Sequence, residues 1–394
     1  MSTEVTRLAS DNHSRKTWRA IVALNAVSGL SQIGQFGIAF MLFPIALEAQ
    51  GSSAFNIGAV SSSLWIGNLL GLVLAPRLVS FIGHRRTVAA GLFASAVALL
   101  ATPWLALSQW IPPAAVCGFG YGLRWIGNET WLFGITPAEN QGKVVGFHES
   151  LLAVAVVAGP ALIAVTSFQQ AFTVAAFMTA TAAIPLLLAG SSPKPTRGSS
   201  SSAARSNIWA TTMGLITLGT VVAALGGLVE GGTISMFPVY GSAVGLDSAE
   251  TAWILTVFGV GAMVLQFPLG WIADRWGVRP SMVIIAAATL LSAGGALFVP
   301  HQDFAFGALM FVLGGAITGY LTLAILMATL TSDPDLLPRK ISQVSIAFTI
   351  FSALGPLIAS LGVTIFGPAT VMGFAMAIAI LTGVATTYRA RLGG

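Results

Sequence analysis

Apolar residues run along this chain in blocks of about twenty, each closed by a short polar break, with no strand-type alternation inside the blocks. About twenty residues is the length an α-helix needs to cross the hydrocarbon core of a bilayer, and helices satisfy their own backbone there. The pattern therefore predicts twelve spans, at 20–47, 57–74, 87–107, 111–135, 144–165, 171–189, 210–238, 252–272, 281–298, 306–329, 341–363 and 369–388. The expected fold class is all-α integral membrane, with 12 transmembrane helices in two six-helix pseudo-symmetric bundles.

The longest polar break is SSPKPTRGSSSSAARSN, a Ser-rich, basic stretch with the composition of a flexible linker. It divides the chain into an N-terminal tail (1–19), a first bundle (20–190), the linker (191–207), a second bundle (208–388) and a C-terminal tail (389–394), the tails and linker expected to be cytoplasmic. The halves echo each other. Gly83 recurs as Gly277 at an offset of 194, and Gly159-Pro160 recurs as Gly355-Pro356 at an offset of 196. Two parallel six-helix repeats with a midplane site between them are a transporter plan.

Composition agrees: 55% of residues are hydrophobic and 8% charged, against roughly 25% charged in soluble domains. The one cysteine, Cys117, lies within an apolar run, so disulfides and cysteine metal sites are excluded. The polar first 19 residues are followed by no signal-peptide cleavage pattern, so the first block is read as a retained span. A pI near 9.8 would suit nucleic-acid binding, but the placement of the cations explains it better. Of 18 Lys and Arg, 17 fall in the tails, the linker or alternate loops, all on one side of a twelve-span arrangement. The opposite loops hold only Glu48, Asp247, Glu250 and Asp303. The positive-inside rule then sets both termini in the cytoplasm of a bacterial inner-membrane protein, with lipid and a small solute as partners and no nucleic acid. The remaining cation is Arg124.

The loop after the eighth block reads GWIADRWGVRP. It resembles the loop signature G-x-x-x-D-R-x-G-R-[KR] of the major facilitator superfamily, matched at Gly270, Asp274, Arg275, Gly277 and Arg279. The two glycines permit a tight turn at the membrane face, and the arginines sit at headgroup level. The resemblance implies the major facilitator fold and a buried Asp274 facing a helix N-terminus as a latch between access states. The first-half copy keeps its basic end, Gly83-His84-Arg85-Arg86, but has Ser80 and Phe81 at the Asp-Arg positions. The family's helix-4 arginine and glutamine align with Ala114 and Cys117. Gly159-Pro160 is similar to the core of the antiporter signature, although Ala155, Ile163 and Ala164 replace its other glycines. The Gly-Pro pairs thus read either as kinks and close-packing points or as an antiporter mark. At fold level the likeness covers the whole chain and is nearest to bacterial twelve-helix members of the YcaD-like type.

Four ionisable residues fall inside blocks: Arg124, Glu129, Glu149 and Glu230. A charge at mid-membrane costs at least about 2.5–3.5 kcal/mol, so each should face a partner or a wet cavity. Arg124 and Glu129 are about 140° apart around a helix and are not a same-face pair. Glu230, among Gly226, Gly227, Gly231 and Gly232 in a helix expected to bend or unwind, is one candidate partner for Arg124, and a bound anion is another. Glu129 and Glu149 lie at matching depths and could share a proton. His148 either joins them or faces headgroups. Gln32, Gln35 and Tyr320 read as interhelical hydrogen-bonding residues or solute contacts. Trp125 suits a cavity wall and Trp131 the interfacial aromatic belt.

His148-Glu149 is not a metal motif, and no Walker sequence is present, so no cofactor is expected beyond a proton or ion gradient. The expected function is secondary active transport by alternating access in a functional monomer. Its first form is proton-coupled efflux of an amphipathic or anionic solute, the anion being suggested by Arg124. The alternatives are import of a nutrient or siderophore-like solute and, remotely, a non-transporting scaffold or enzyme. A catalytic constellation is absent from the sequence, so the protein is expected not to be an enzyme.

Overall fold

A computed structural model of the protein describes residues 2–190, 217–330 and 337–391, and the expected linker at 191–207 lies outside them. Eleven helices are long and apolar enough to cross a membrane. They are α1 (Lys16–Ala49), α2 (Ala54–Ile82), α3 (His84–Trp104), α5 (Gln141–Ala164), α6 (Phe168–Leu188), α7 (Leu218–Ala243), α8 (Ser248–Trp276), α9 (Val278–Ala296), α10 (Phe304–Thr329), α11 (Lys340–Phe366) and α12 (Thr370–Tyr388). The twelfth, α4 (Ile111–Ile135), carries Arg124 and Glu129. The first helix already begins at Ser2, so the expected tail at 1–19 continues it, and the last runs on to Arg391, into the expected tail at 389–394. Successive helices reverse direction, which brings both ends of the chain to one face, here the termini face.

Local chemistry sets the boundaries. At the far face α6 and α8 start with capping boxes, Ser167 with Gln170 and Asp247 with Glu250, and Ser53 caps α2 by accepting from the Asn56 amide. Two of the four acids expected in the far loops, Asp247 and Glu250, are therefore helix caps. At the termini face α2 turns into α3 at Gly83 (φ 84°, ψ 161°), and α8 turns into α9 at Gly277 (φ 91°, ψ 159°). Each glycine N–H donates four residues back, to the carbonyls of Val79 and Ala273. A positive φ is accessible to glycine without a Cβ penalty, which explains why the sequence repeats this residue.

The internal repeat is equally clear in the packing. Gly67 lies on the Ala115 carbonyl and Gly118 on the Leu64 carbonyl, joining α2 to α4. At the same offsets of 194 and 196, Gly261 lies on Phe311 and Gly314 on Phe258, joining α8 to α10. Gly159 lies on Gly37, and Gly355 lies against Gly231 and Gly232. The Gly-Pro pairs are thus close-packing points inside continuous helices, with Pro160 and Pro356 in helix interiors. The local unwinding expected of α7 around Glu230 is not found. The helix is unbroken from Leu218 to Ala243, and Gly226, Gly227, Gly231 and Gly232 lie against Tyr320, Phe348, Ser352 and Phe374. The irregular segment is in α1 instead, where Ile33–Ile38 forms a π-helical turn.

The halves meet along α2–α11, α5–α8 and α1–α7, chiefly toward the far face. Gly58 lies against Ser360 and Pro356, Gly259 against the Val156 carbonyl, and the Glu48 carboxylate meets the Ser242 hydroxyl. Residues 37–47 of α1 and 235–241 of α7 are buried throughout. Toward the termini face the same helices lose cover. On α2, 60–65 are buried whereas Val73, Arg77 and Phe81 are exposed, and on α8 Phe267, Trp271 and Trp276 are exposed. The bundle is closed at the far face and splayed at the termini face.

Gly118→Leu is expected to drive side-chain atoms into the Leu64 backbone and to cost at least about 1–3 kcal/mol, the usual cost of overpacking. Gly146→Ala, where a Cβ meets nothing within 4 Å, is its neutral control. Thermal melting and size-exclusion profiles of the purified variants make the comparison, and equal melting temperatures would contradict it.

Candidate functional site

Asn25, Ser28, Gln32 and Gln35 recur on α1 at steps of three and four, so one face of an otherwise apolar helix is polar over about 15 Å. α4 meets it with Tyr121, Arg124 and Asn128, spaced the same way. Every one of these seven residues is buried. Arg124 is 1% exposed and donates from Nε to Gln35 Oε1 (2.9 Å) and from Nη2 to Gln32 Oε1 (2.7 Å). Its guanidinium also lies over the Tyr121 ring, 5.0 Å from the centroid. Gln32 Nε2 donates to the Tyr121 hydroxyl (3.3 Å), Gln35 Nε2 donates to Ser95 Oγ (2.7 Å), and Ser95 donates to the Cys117 carbonyl (2.9 Å). Asn128 Nδ2 donates to Ser28 Oγ (2.7 Å) and the Leu24 carbonyl (3.0 Å).

This geometry corrects the expectation for Arg124. Its partners are two neutral glutamine oxygens, with no ion pair to Glu230 or to any other carboxylate among the described residues. The carboxylate whose field reaches it is Glu129. Two charge-assisted hydrogen bonds and a ring face hold the cation in a place an incoming anion does not reach. The π-helical turn spans Gln35 and leaves Gln32 just before it, between Gly34, which faces the α6 backbone at Ala175, and Gly37, which faces the α5 backbone at Ala155. The sequence signal for that turn is the pair of glycines in IGQFGI.

Closer to the termini face, His148 of α5 is fully buried and does not face headgroups. Its Nδ1 lies 3.1 Å from Asn25 Oδ1 and its Nε2 lies 3.4 Å from Glu129 Oε1, with the Phe133 ring edge-on at 5.6 Å. His148 is therefore the hydrogen-bonding partner of Glu129, and Glu149 stays within electrostatic range of the same carboxylate, as expected from their matching depths. Glu149 itself points to an exposed position one residue on. Trp131 is also displaced from its expected place, being 1% exposed and packed near His84 and not in an interfacial belt.

Beside these hydrogen-bonded side chains stands a cluster of rings. Phe36 stacks on Tyr121 (5.7 Å) and contacts Phe40 (5.0 Å) and Trp65 (6.3 Å), and Tyr121 contacts Trp125 (5.4 Å). Phe36 and Trp125 are half-buried, whereas Tyr121 and Phe40 are covered. Across the seam, half-buried Glu230 of α7 makes no hydrogen bond or ion pair among the described residues, and its charge lies within electrostatic range of the Tyr121 hydroxyl.

The second half does not repeat this chemistry. At the offset of 196 Tyr121, Arg124, Asn128, Glu129 and His148 become Ile317, Tyr320, Ala324, Ile325 and Val344, and α7 contains neither Asn nor Gln. Tyr320 is fully buried against Gly226, with its hydroxyl near Thr289 and Thr382 of α9 and α12, away from the cleft. Of the loop signature, Arg275 is exposed with its guanidinium 5.8 Å from the Trp271 ring, and Gly270 and Gly277 stand at the α8 end. Arg279 is half-buried. Asp274, expected to be buried against a helix N-terminus, is exposed. The splay of the helix ends at that face accounts for the difference.

Two matching sets of long antiparallel helices, with ionisable side chains buried at mid-depth, define a polytopic membrane carrier. Residues 24–224 and 216–391 each match the Major Facilitator Superfamily, and the chain belongs to it. It is 25% identical over 353 residues to the uncharacterized MFS-type transporter YfkF of Bacillus subtilis, covering 87% of this chain and 88% of the relative. It is 23% identical over 325 residues to the uncharacterized MFS-type transporter YcaD of Escherichia coli, covering 80% and 81%. The nucleoside transporter NupG shares the fold at a TM-score of 0.73 and 14% identity, covering 94% of this chain and 98% of that one. A D-xylose-proton symporter does so at 0.69 and 14%, covering 94% and 96%. The protein is an integral membrane transporter and not an enzyme.

Gln35→Leu is expected to remove one of the two hydrogen bonds to the Arg124 charge and lower the melting temperature, since losing a hydrogen bond to a buried charge costs about 1.5–3 kcal/mol. Adding Arg124→Met to it should restore part of that loss, because two apolar groups leave no unpaired charge. A double-mutant cycle read by thermal melting checks this, and strictly additive losses would show that the contact contributes nothing.

Proposed function

We propose that the protein is a proton-coupled exporter of an amphipathic solute, working as a monomer by alternating access in a bacterial cytoplasmic membrane. The observation that carries this reading is Glu230: a carboxylate at the seam between the halves, half-buried, with no cation beside it among the described residues. An ionised carboxylate in apolar surroundings needs a counter-charge, whereas a protonated one does not. Such a group takes up a proton in one access state and gives it to water or exchanges it for solute in the other. Glu129 with His148 and Asn25 forms a second proton-holding group, faced by exposed Glu149 and by buried Arg124 and Tyr121.

The clustering of cations on the termini face supports a cytoplasmic location for both ends, and the splayed form is then the inward-open state. Solute enters from the cytoplasm or the inner leaflet, and the halves rock about the seam to release it on the far side. Arg275, Arg279 and exposed Asp274 would latch the termini face in the alternate state. An amphipathic solute is favoured over a polyol, because Phe36, Trp125, Leu225 and Leu228, half-buried against the core, offer ring and aliphatic surface and few hydrogen bonds.

Proteoliposomes loaded with a pH-sensitive dye test the coupling. Under an imposed pH gradient, an amphipathic solute panel should contain members whose movement dissipates the gradient in the wild type. Glu230→Gln should abolish that proton movement while leaving the melting profile intact. Solute flux indifferent to the gradient in the wild type would overturn the reading.

A further inference from the structure

We propose that His148 Nε2 is the seat of an exchangeable proton shared with Glu129, and that Asn25 is the positioning residue that holds the imidazole ready for it. The proposal rests on the proton-coupled reading and names the atoms of its second proton-holding group. The hydrogen bonds that lead to this proton have only one consistent direction. Asn25 is 2% exposed, and its Nδ2 lies 2.9 Å from the Ile21 carbonyl oxygen. Only the amide nitrogen can face a carbonyl oxygen, so Asn25 Oδ1 is the atom left for His148 Nδ1, 3.1 Å away. An amide oxygen accepts and does not donate, so Nδ1 carries a hydrogen and donates it.

In the neutral ring Nε2 then holds a bare lone pair, and it faces Glu129 Oε1 at 3.4 Å. Two acceptors facing each other in a buried place repel, whereas one proton between them makes a charge-assisted hydrogen bond. That proton sits on Nε2, as imidazolium against carboxylate, or on Oε1, as neutral imidazole against carboxylic acid. Passing between the two breaks one N–H bond, forms one O–H bond and leaves the net charge of the pair unchanged. The two ends differ in access. His148 is fully buried beside the Phe133 ring, but the Glu129 side chain is 21% exposed, so a proton from water reaches Oε1 first and Nε2 second. The charged and titratable groups whose fields reach the pair are Arg124 and Tyr121 from α4 and Glu149 from α5, and at this depth α1 brings only neutral Asn25. Along α5, His148 is about 12 Å from Val156, whose carbonyl lies against Gly259 of α8 at the seam. Losing the proton sets two lone pairs against each other and frees α5 from α4, so the occupancy of one atom is felt where the halves meet.

Nuclear magnetic resonance of the purified full-length protein carrying 15N-histidine reads the ring directly, and His148→Gln identifies its signals among the four histidines. Across a pH series Nδ1 should keep its proton throughout, while Nε2 gains and loses one. A neutral His148 ring with a bare Nδ1, or an Nε2 that never changes, would overturn the proposal. Asn25→Leu should move the neutral ring to the Nε2–H tautomer, with Nε2 donating to Glu129, and an unmoved tautomer would remove Asn25 from its role. The wild-type spectrum decides the matter by itself where that variant does not fold. In dye-loaded proteoliposomes, His148→Gln should cut the proton movement evoked by a gradient-dissipating member of the amphipathic panel about tenfold or more, which is the worth of one hydrogen bond to a charged group. Proton movement retained in full by His148→Gln would sink this assignment alone. Flux indifferent to the gradient in the wild type would instead sink the coupled reading, and the ring spectrum would still report where the proton sits.

Discussion

The polar groups in the middle of the first bundle are arranged around one buried guanidinium. A full charge at mid-membrane is tolerable only if its donors are met, and α1 supplies two glutamine oxygens to meet them. That requirement explains why α1 carries a polar face, why the Tyr121 ring lies against the cation, and why Gln35 is tied in turn to Ser95 on α3. Three helices of the first half are thereby fixed to one another by hydrogen bonds in a medium where apolar packing alone gives little discrimination between partners. The first half has a directional lock around a charge, whereas the second half is tied by neutral hydrogen bonds, Gln266 with Thr318 and Thr322 and Tyr240 to the Ala296 carbonyl, and by glycine contacts.

Much of the architecture was legible in the sequence because bilayers impose strong rules. Span length, the one-sided distribution of lysine and arginine, and the spacing of Gly83 and Gly277 all follow from the cost of exposing backbone or charge to hydrocarbon. The repeated glycines have a physical cause that one chain displays twice: the same left-handed turn and the same backbone-to-backbone contacts at equivalent places.

The site was less legible, and particular residues show why. Arg124 could be identified as costly, but its partners lie about 90 residues away on α1, and hydrogen-bond pairing over such a separation leaves no trace in spacing. Gln32 and Gln35 were visible as polar interruptions without their purpose. His148 had two open environments in the sequence, and the burial of α5 against α1 decides between them. Tyr320 looked like a polar mid-span residue and is a packed one, since Gly226 makes room for its ring. The glycines of α7 suggested a hinge and serve as contact points instead, whereas the irregular turn fell in α1, where only two glycines signalled it.

That turn divides α1 into two mechanical parts. A π-turn holds one residue more than an α-turn, so the helix beyond it is rotated by about 100° relative to an uninterrupted one. Before the turn, the helix presents its amides to α4 and α5. Beyond it, residues 39–47 present apolar side chains to the seam with the other half. The surplus residue thus works as a phase adjustment between a polar face and an apolar wall on the same rod. Taking up that residue elsewhere along α1 would turn one part against the other without breaking the helix, giving the two ends of a single span independent freedom to rotate.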